Sequence, residues 1–399
     1  MAGSLAGIYL DHNATVPPHR EVLDAMAAAR GEVWANPASV HRPGQRARAE
    51  LDRCRAALAE ALGAGLSPRD VLLTSGGTEA NNLALRSVPG ALVVGALEHP
   101  SVAAVAAGLE REGRTVVRAE ATPGGRVSEE GLAAAIAEAT RIAGSVGLIS
   151  VQAVNHETGV VQPTAALAAQ ARAAGAHFHV DAVQALGRIP LDCLADADLI
   201  TVAAHKLGGP KGIGALVTRP RVKLQPILLG GEQERGLRPG TQDPILAVGF
   251  RAALARLPCA LAAHAALGPL RDELEASLLA LGRELGIEAV RNGEPPRAPH
   301  VSNTSWPGWR GPELCAALDL EGIYLSAGSA CSAGTATPSP VITAMVGAER
   351  AASAVRLFAR RGPRCRAVTR RRGGLAAGPG ARTTLNTRRP SKPLEPSGS

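Results

Sequence analysis

The chain has 399 residues, enough for at least one large buried core and, at usual domain sizes, two domains. Hydrophobic residues make up 46% of it but aromatic ones only 2%, so a core must rest on many small aliphatic contacts. The formal net charge of +8 is unevenly spread. Residues 357–399 hold eleven Lys/Arg and one Glu, leaving 32 basic against 34 acidic side chains in the rest. The body is therefore nearly neutral and offers no electrostatic footprint for nucleic acid, which only the basic tail could attract. No apolar run approaches the ~18–20 residues that span a bilayer, and Met1-Ala-Gly-Ser-Leu-Ala-Gly lacks the basic and apolar regions of a signal peptide. A soluble, cytoplasmic protein without membrane contact is expected. The six cysteines, Cys54, Cys193, Cys259, Cys315, Cys331 and Cys365, form no CxxC pair, which argues against a zinc site or disulfide framework.

In chain order, residues 45–62 read as a helix stopped by Gly63. From 71 to 219, short apolar runs at 71–74, 91–94, 146–151, 177–180, 199–202 and 214–217 alternate with helical stretches such as 129–139 and 164–174. Strands apolar on both faces and separated by helices predict a mostly parallel sheet covered on both sides, an α/β fold. Residues 244–285 are helix-rich, and Gly230-Gly231 and the Pro-rich 294–299 mark loops. From Phe358 onward the text is rich in Arg, Gly, Pro and Thr without hydrophobic period, and cannot bury enough surface to fold.

Three elements carry chemistry. A strand runs into His205-Lys206 and a Gly/Pro-rich turn. A lysine partly desolvated there favours the neutral amine that attacks a carbonyl, although a lysine in such a loop is by itself more often surface decoration. The strand at His179-Val-Asp181 ends in a carboxylate, costly to bury unless it meets a cation such as a protonated pyridine nitrogen. A helix cap or an ion pair would serve equally if Asp181 stood alone. Ser75-Gly-Gly-Thr-Glu-Ala-Asn-Asn after the 71–74 strand has the strand–glycine-turn–helix order that aims backbone N–H groups at a phosphate, with Gly77 and Thr78 in contact. An ordinary βα turn has the same text.

Together these elements resemble the cysteine desulfurases of the nitrogen-fixation and iron–sulfur-cluster assembly type, within the class-V aminotransferase fold. The matching segments are Tyr9-Leu-Asp-His-Asn-Ala-Thr, Asn36-Pro-Ala-Ser, 75–84, Glu98-His99, 155–162, 179–184, 205–214, 234–241 and Ser326-Ala-Gly-Ser-Ala-Cys331. The resemblance implies a large domain over 16–255, a smaller α+β domain from 1–15 and 256–357, and a basic tail from 358. It implies pyridoxal 5'-phosphate as cofactor, attached to Lys206, which later moves protons at the substrate's α-carbon. Asp181 would pair with the pyridine nitrogen, Gln184 with the ring's phenolic oxygen, and His99 would stack on the ring as acid or base. Gly77, Thr78 and His205 would hold the phosphate, with Thr241 reaching the neighbouring subunit's phosphate in a homodimer. Arg356, helped by Asn36, would grip the carboxylate of L-cysteine. Cys331, in a small-residue loop, would take the sulfur as a persulfide, contact a nascent iron–sulfur cluster, and pass sulfur to a scaffold or thiolation protein, leaving L-alanine. A selenocysteine lyase or another class-V enzyme is the alternative, as is an inactive cofactor-binding protein. No resident metal is implied.

Three departures stand out. His156 replaces an asparagine that the family more usually has at a cofactor contact, where it could donate a similar hydrogen bond. Ala203 replaces a phosphate-binding serine. From Phe358 the family's Ser-Leu-Gly-Arg-like motif gives way to Phe-Ala-Arg-Arg, whose codons read Ser-Leu-Gly when shifted by one base. A reading-frame shift near 358 is the expectation, with a natural basic tail as the alternative.

Overall fold

The structure, a computed structural model, describes residues 7–63, 65–328 and 337–359. Cys331, Cys365 and the tail from 360 lie outside the described residues. The first strand is β1 (Ile8–Tyr9), followed by helices α1 (Arg20–Ala29) and α2 (Arg42–Leu62). The α2 helix is capped by the His41 ring and ends at Gly63.

The next region alternates strand and helix. It runs β2 (Val71–Thr74), α3 (Gly77–Ser87), β3 (Ala91–Gly95), α4 (Pro100–Arg111), β4 (Val116–Ala119), α5 (Glu129–Ala143), β5 (Val146–Gln152), α6 (Thr164–Ala173), β6 (His177–Asp181), β7 (Leu199–Ala203) and β8 (Gly214–Thr218). These strands form one seven-stranded sheet in the order β2-β8-β7-β6-β5-β3-β4. Only β8 runs antiparallel to its neighbours; the other adjacent pairs are parallel.

Alternation along each strand divides two cores. Val71, Leu73, Val93, Ile149 and Val151 face α2, α5, α6 and a later helix, through Leu51, Leu58, Leu132, Leu167 and Phe250. Leu72, Leu92, Val94 and Leu148 face α3 and α4, through Leu83, Ala84, Val102 and Val105. The helix carrying Phe250 is α7 (Pro244–Leu254); α8 (Leu257–Ala265) and α9 (Gly268–Glu284) follow it. No single helix among the described residues is long and apolar enough to cross a membrane.

The remainder contains β9 (Val290–Arg291), β10 (Val301–Ser305), α10 (Gly311–Leu320), β11 (Ile323–Tyr324), α11 (Pro340–Val346), α12 (Ala348–Ala352) and β12 (Ala354–Phe358). The strands β12, β10 and β9 make an antiparallel sheet, while β1 pairs in parallel with β11. The two ends of the described chain meet there: Phe358 N–H donates to the Leu10 carbonyl, and His12 Nδ1 lies 2.9 Å from the Phe358 carbonyl oxygen.

Candidate active site

Parallel strands expose their C-terminal ends to loops on one edge of the sheet, where α/β folds bind ligands. A cavity of about 230 Å³ lies there, lined among others by Ala14, Gly77, Thr78, Asn81, His99, His156, Asp181, Gln184, Ala203, His205 and Lys206. The three chemical elements of the sequence thus come to one place, from the ends of β2, β6 and β7.

At one wall, α3 begins with Gly77, and its first N–H groups have no partner within the helix. A Cβ on Gly77 would come within 2.9 Å of Val183 Cγ2, so only glycine lets this helix start sit so close to the loop after β6. Gly214 opens β8 against the same turn; a Cβ there would lie 2.7 Å from the Gly76 backbone. His205 Nδ1 meets Thr15 Oγ1 at 3.2 Å. Burial, then the charges of Lys206, Arg188 and Lys211, push its pKa down to about 4. It is a neutral hydrogen-bonding ring at pH 7.

Asp181 is 6% exposed. Its Oδ1 accepts from Val183 N–H at 2.9 Å and its Oδ2 from Asn81 Nδ2 at 2.8 Å. It makes no ion pair with a side chain among the described residues, so a buried carboxylate faces the cavity with neutral partners only. Asn81 Nδ2 also donates to Ser101 Oγ at 2.8 Å. Ser101 in turn offers both its backbone N–H, at 3.1 Å, and its Oγ, at 2.8 Å, to His99 Nδ1. A backbone N–H can only donate, so Nδ1 is an acceptor and the His99 proton sits on Nε2. Burial holds the His99 pKa below its ordinary 6.5; Asp181 opposes this, while Lys206 and Arg356 assist it.

The Lys206 ammonium donates to the carbonyls of Asn13 and Ala14, the latter at 3.0 Å. Arg188, 3% exposed, donates to Asn13 Oδ1 and Gln184 Oε1 and, at 3.2 Å, to the Lys206 carbonyl. It ties the lysine turn to Gln184 and to the chain's start. Arg356 lies in β12, 3% exposed. Its Nη2 is 3.7 Å from Asp11 Oδ1, its guanidinium carbon 5.2 Å from the Phe358 ring centroid, and its buried Nε has no hydrogen-bond partner.

Eight of the nine residues expected to touch a cofactor line this cavity; the ninth, Thr241, is exposed. Asn36 is also exposed, with Oδ1 accepting from Ala38 N–H at 2.9 Å. Sequence reasoning passed over Asn81, Ser101 and Arg188. A buried polar face on α3 was the available signal for Asn81, which is fully buried, but its partner Asp181 lies on a distant strand.

A carboxylate, a helix start and a lysine around one cavity fit a phosphorylated pyridine aldehyde in charge and donor type. Residues 8–356 match the class-V aminotransferase family. A putative cysteine desulfurase, IscS 1, of Bacillus subtilis (strain 168) is 36% identical over 368 residues, covering 88% of this chain and 92% of that protein. A cysteine desulfurase of Cereibacter sphaeroides is 39% identical over 348 residues, covering 85% and 86%. The X-ray structure of a NifS-like protein from Rickettsia africae ESF-5 superposes with a TM-score of 0.78 at 29% identity, covering 89% of this chain and 94% of that one. The chain belongs to the class-V aminotransferase family, among its pyridoxal-phosphate-dependent cysteine desulfurases.

Proposed function

We propose that this protein converts L-cysteine to L-alanine and takes the sulfur on Cys331 as a persulfide for an acceptor protein. The observation that carries this is the meeting of Asp181, Lys206 and the α3 start around one cavity. Pyridoxal phosphate, when bound, supplies an electron-withdrawing ring in conjugation with the substrate's α-carbon. Asp181 holds a proton on the ring nitrogen. Gly77, Thr78 and the neutral His205 ring donate to the phosphate, Gln184 donates to the ring oxygen, and His156 lines the wall. Lys206 Nζ moves the proton at the α-carbon. His99 covers the ring face with its proton on Nε2. The planar guanidinium of Arg356, helped by Asn36, would bind the substrate carboxylate. The Cys331 thiolate attacks the substrate sulfur, the carbon–sulfur bond breaks, and the electron pair stays with the carbon that becomes alanine's methyl group.

Two finer readings belong to the same proposal. The protein works in the cytoplasm as a homodimer, with Thr241 serving the partner subunit's phosphate. The exposure of the large apolar side chains Trp34, Val40 and Leu229 is compatible with a partner surface. Residues 16–255 form a large domain, and 1–15 with 256–357 a small one; the separate seven- and three-stranded sheets support this division.

The first test is Asp181→Asn. The variant is expected to fold and bind cofactor yet lose turnover roughly ten- to a hundredfold, since removing a charge-assisted partner costs about 1.5–3 kcal/mol. Alanine and sulfide production from cysteine measures it, and near wild-type rates would remove Asp181 from this role.

A further inference from the structure

The turn that leads β2 into α3 brings Gly77 and Thr78 to the cavity, and a carboxylate of the same helix fixes its shape. Glu79 is the third residue of α3. Its Oε2 accepts from Ser75 N–H at 2.6 Å. Its Oε1 accepts from Arg238 Nε at 2.8 Å, and Arg238 Nη2 lies 3.4 Å from Oε2. Both side chains are largely withdrawn from solvent, 14% exposed for Glu79 and 23% for Arg238. Burial raises the Glu79 pKa, but the hydrogen bonds from Arg238 and Ser75 and the charge of Arg238 outweigh it and bring the carboxyl below 4.5. Glu79 is a charged carboxylate at neutral pH.

The segment that carries Arg238 is itself fastened to the sheet. Glu234, 6% exposed, has φ 48° and Arg235 has φ 61°. Two successive side-chain-bearing residues take up this left-handed conformation only where surrounding contacts impose it. Glu234 Oε1 accepts from Arg55 and Gln242, and its Oε2 accepts from Leu73 N–H at 3.2 Å. Arg235 donates to the Arg69 carbonyl. Leu73 belongs to β2, an edge strand of the seven-stranded sheet, so Glu234 ties the segment to the strand that enters the turn. Leu237 packs against the core shared by α3 and α4. Arg238 therefore reaches Glu79 from a fixed base.

A carboxylate in the first turn stabilises a helix, but it also opposes any second negative charge brought to the same helix start. We propose that Arg238 and Glu79 are positioning residues for the cofactor's phosphate: Glu79 holds the Ser75–Thr78 turn, and Arg238 cancels the Glu79 charge so that the α3 start accepts a phosphate. The inference rests on the reading of that helix start as the phosphate site. Neither residue lines the cavity, so the pair acts through the turn and through its charge balance. A pyridine aldehyde without a phosphate does not engage that balance.

The test titrates the full chain, freed of cofactor, with pyridoxal 5'-phosphate and separately with pyridoxal, following the absorbance of the lysine adduct. Arg238→Met is expected to weaken binding of the phosphate ester roughly fivefold or more and to leave pyridoxal unchanged. Arg238→Lys keeps the charge and is expected to retain most of the affinity. Glu79→Gln still accepts from Ser75 and is expected to bind the phosphate ester at least as tightly as wild type. Added to Arg238→Met, it is expected to restore the lost affinity. Equal weakening of both aldehydes by Arg238→Met would overturn the proposal, as would a double variant no better than Arg238→Met. Weaker binding by Glu79→Gln alone would overturn it too, and decides the matter if Arg238→Met does not fold. A chain that binds the cofactor but is inactive on cysteine leaves these outcomes intact. A wild type that binds pyridoxal as tightly as its phosphate ester would instead overturn the phosphate-site reading, and the proposal with it.

Discussion

Lys206→Ala is expected to abolish covalent retention of the cofactor and to lower turnover by roughly 10²–10⁴-fold or more, the usual loss for a positioned acid–base group. The lysine is half-buried, its ammonium drawn toward the Asn13 and Ala14 carbonyls, and it lines the cavity with Asp181. Its neighbour Lys211 is exposed and is not among the lining residues. Borohydride trapping followed by peptide mapping reads the result directly: label on Lys206 in the wild type, none in the variant. The two lysines are close in sequence, so the peptide must be resolved to single residues. Label on Lys211 would overturn the assignment.

Cys331→Ser is the second large effect. The variant is expected to bind cofactor and cysteine but to lose alanine production by about 10³-fold or more, because a hydroxyl is a poor nucleophile toward sulfur. Among the described residues, burial pushes the thiols of Cys54, Cys193 and Cys315 up to about 12, 11 and 11. These thiols are protonated at neutral pH and make poor acceptors. Mass spectrometry after cysteine treatment should find one added sulfur on the peptide that contains Cys331. Full alanine production by the serine variant would instead favour a lyase that needs no protein thiol.

The central sheet was legible because its signal is local. The runs expected at 71–74, 146–151 and 199–202 appear as Val71–Thr74, Val146–Gln152 and Leu199–Ala203, each apolar on both faces as buried strands must be. The parallel expectation met one exception: β8 enters the sheet reversed, a direction that composition does not encode. The strand Val116–Ala119 was missed because it is an edge strand, half-exposed and interrupted by Arg118. The short strands β9 to β12 were missed for a different reason. Their pairing joins residues far apart, such as Asn303 with Arg356, and no short window carries it. The site divides the same way. Lys206, Asp181 and Gly77 announce themselves at strand ends, whereas the Asp181–Asn81–Ser101–His99 chain becomes visible only once β6, α3 and α4 are folded together.

The contact of Phe358 with Leu10 and His12 has a consequence for biosynthesis. Domains form from the N-terminus while the ribosome works at roughly 5–20 residues per second, so the 150 residues between Lys206 and Arg356 take on the order of 10 s to emerge. During that interval the nascent polypeptide already has its β2–α3 turn, Asp181 and Lys206. It lacks the guanidinium of Arg356, and it lacks Phe358, whose N–H and carbonyl pin Leu10 and His12 beside the two carbonyls that seat the lysine. Among the described residues, the last strand therefore holds the segment that seats the lysine. A premature stop codon before Phe358 removes these two contacts and leaves the tie between that segment and the lysine turn to Arg188.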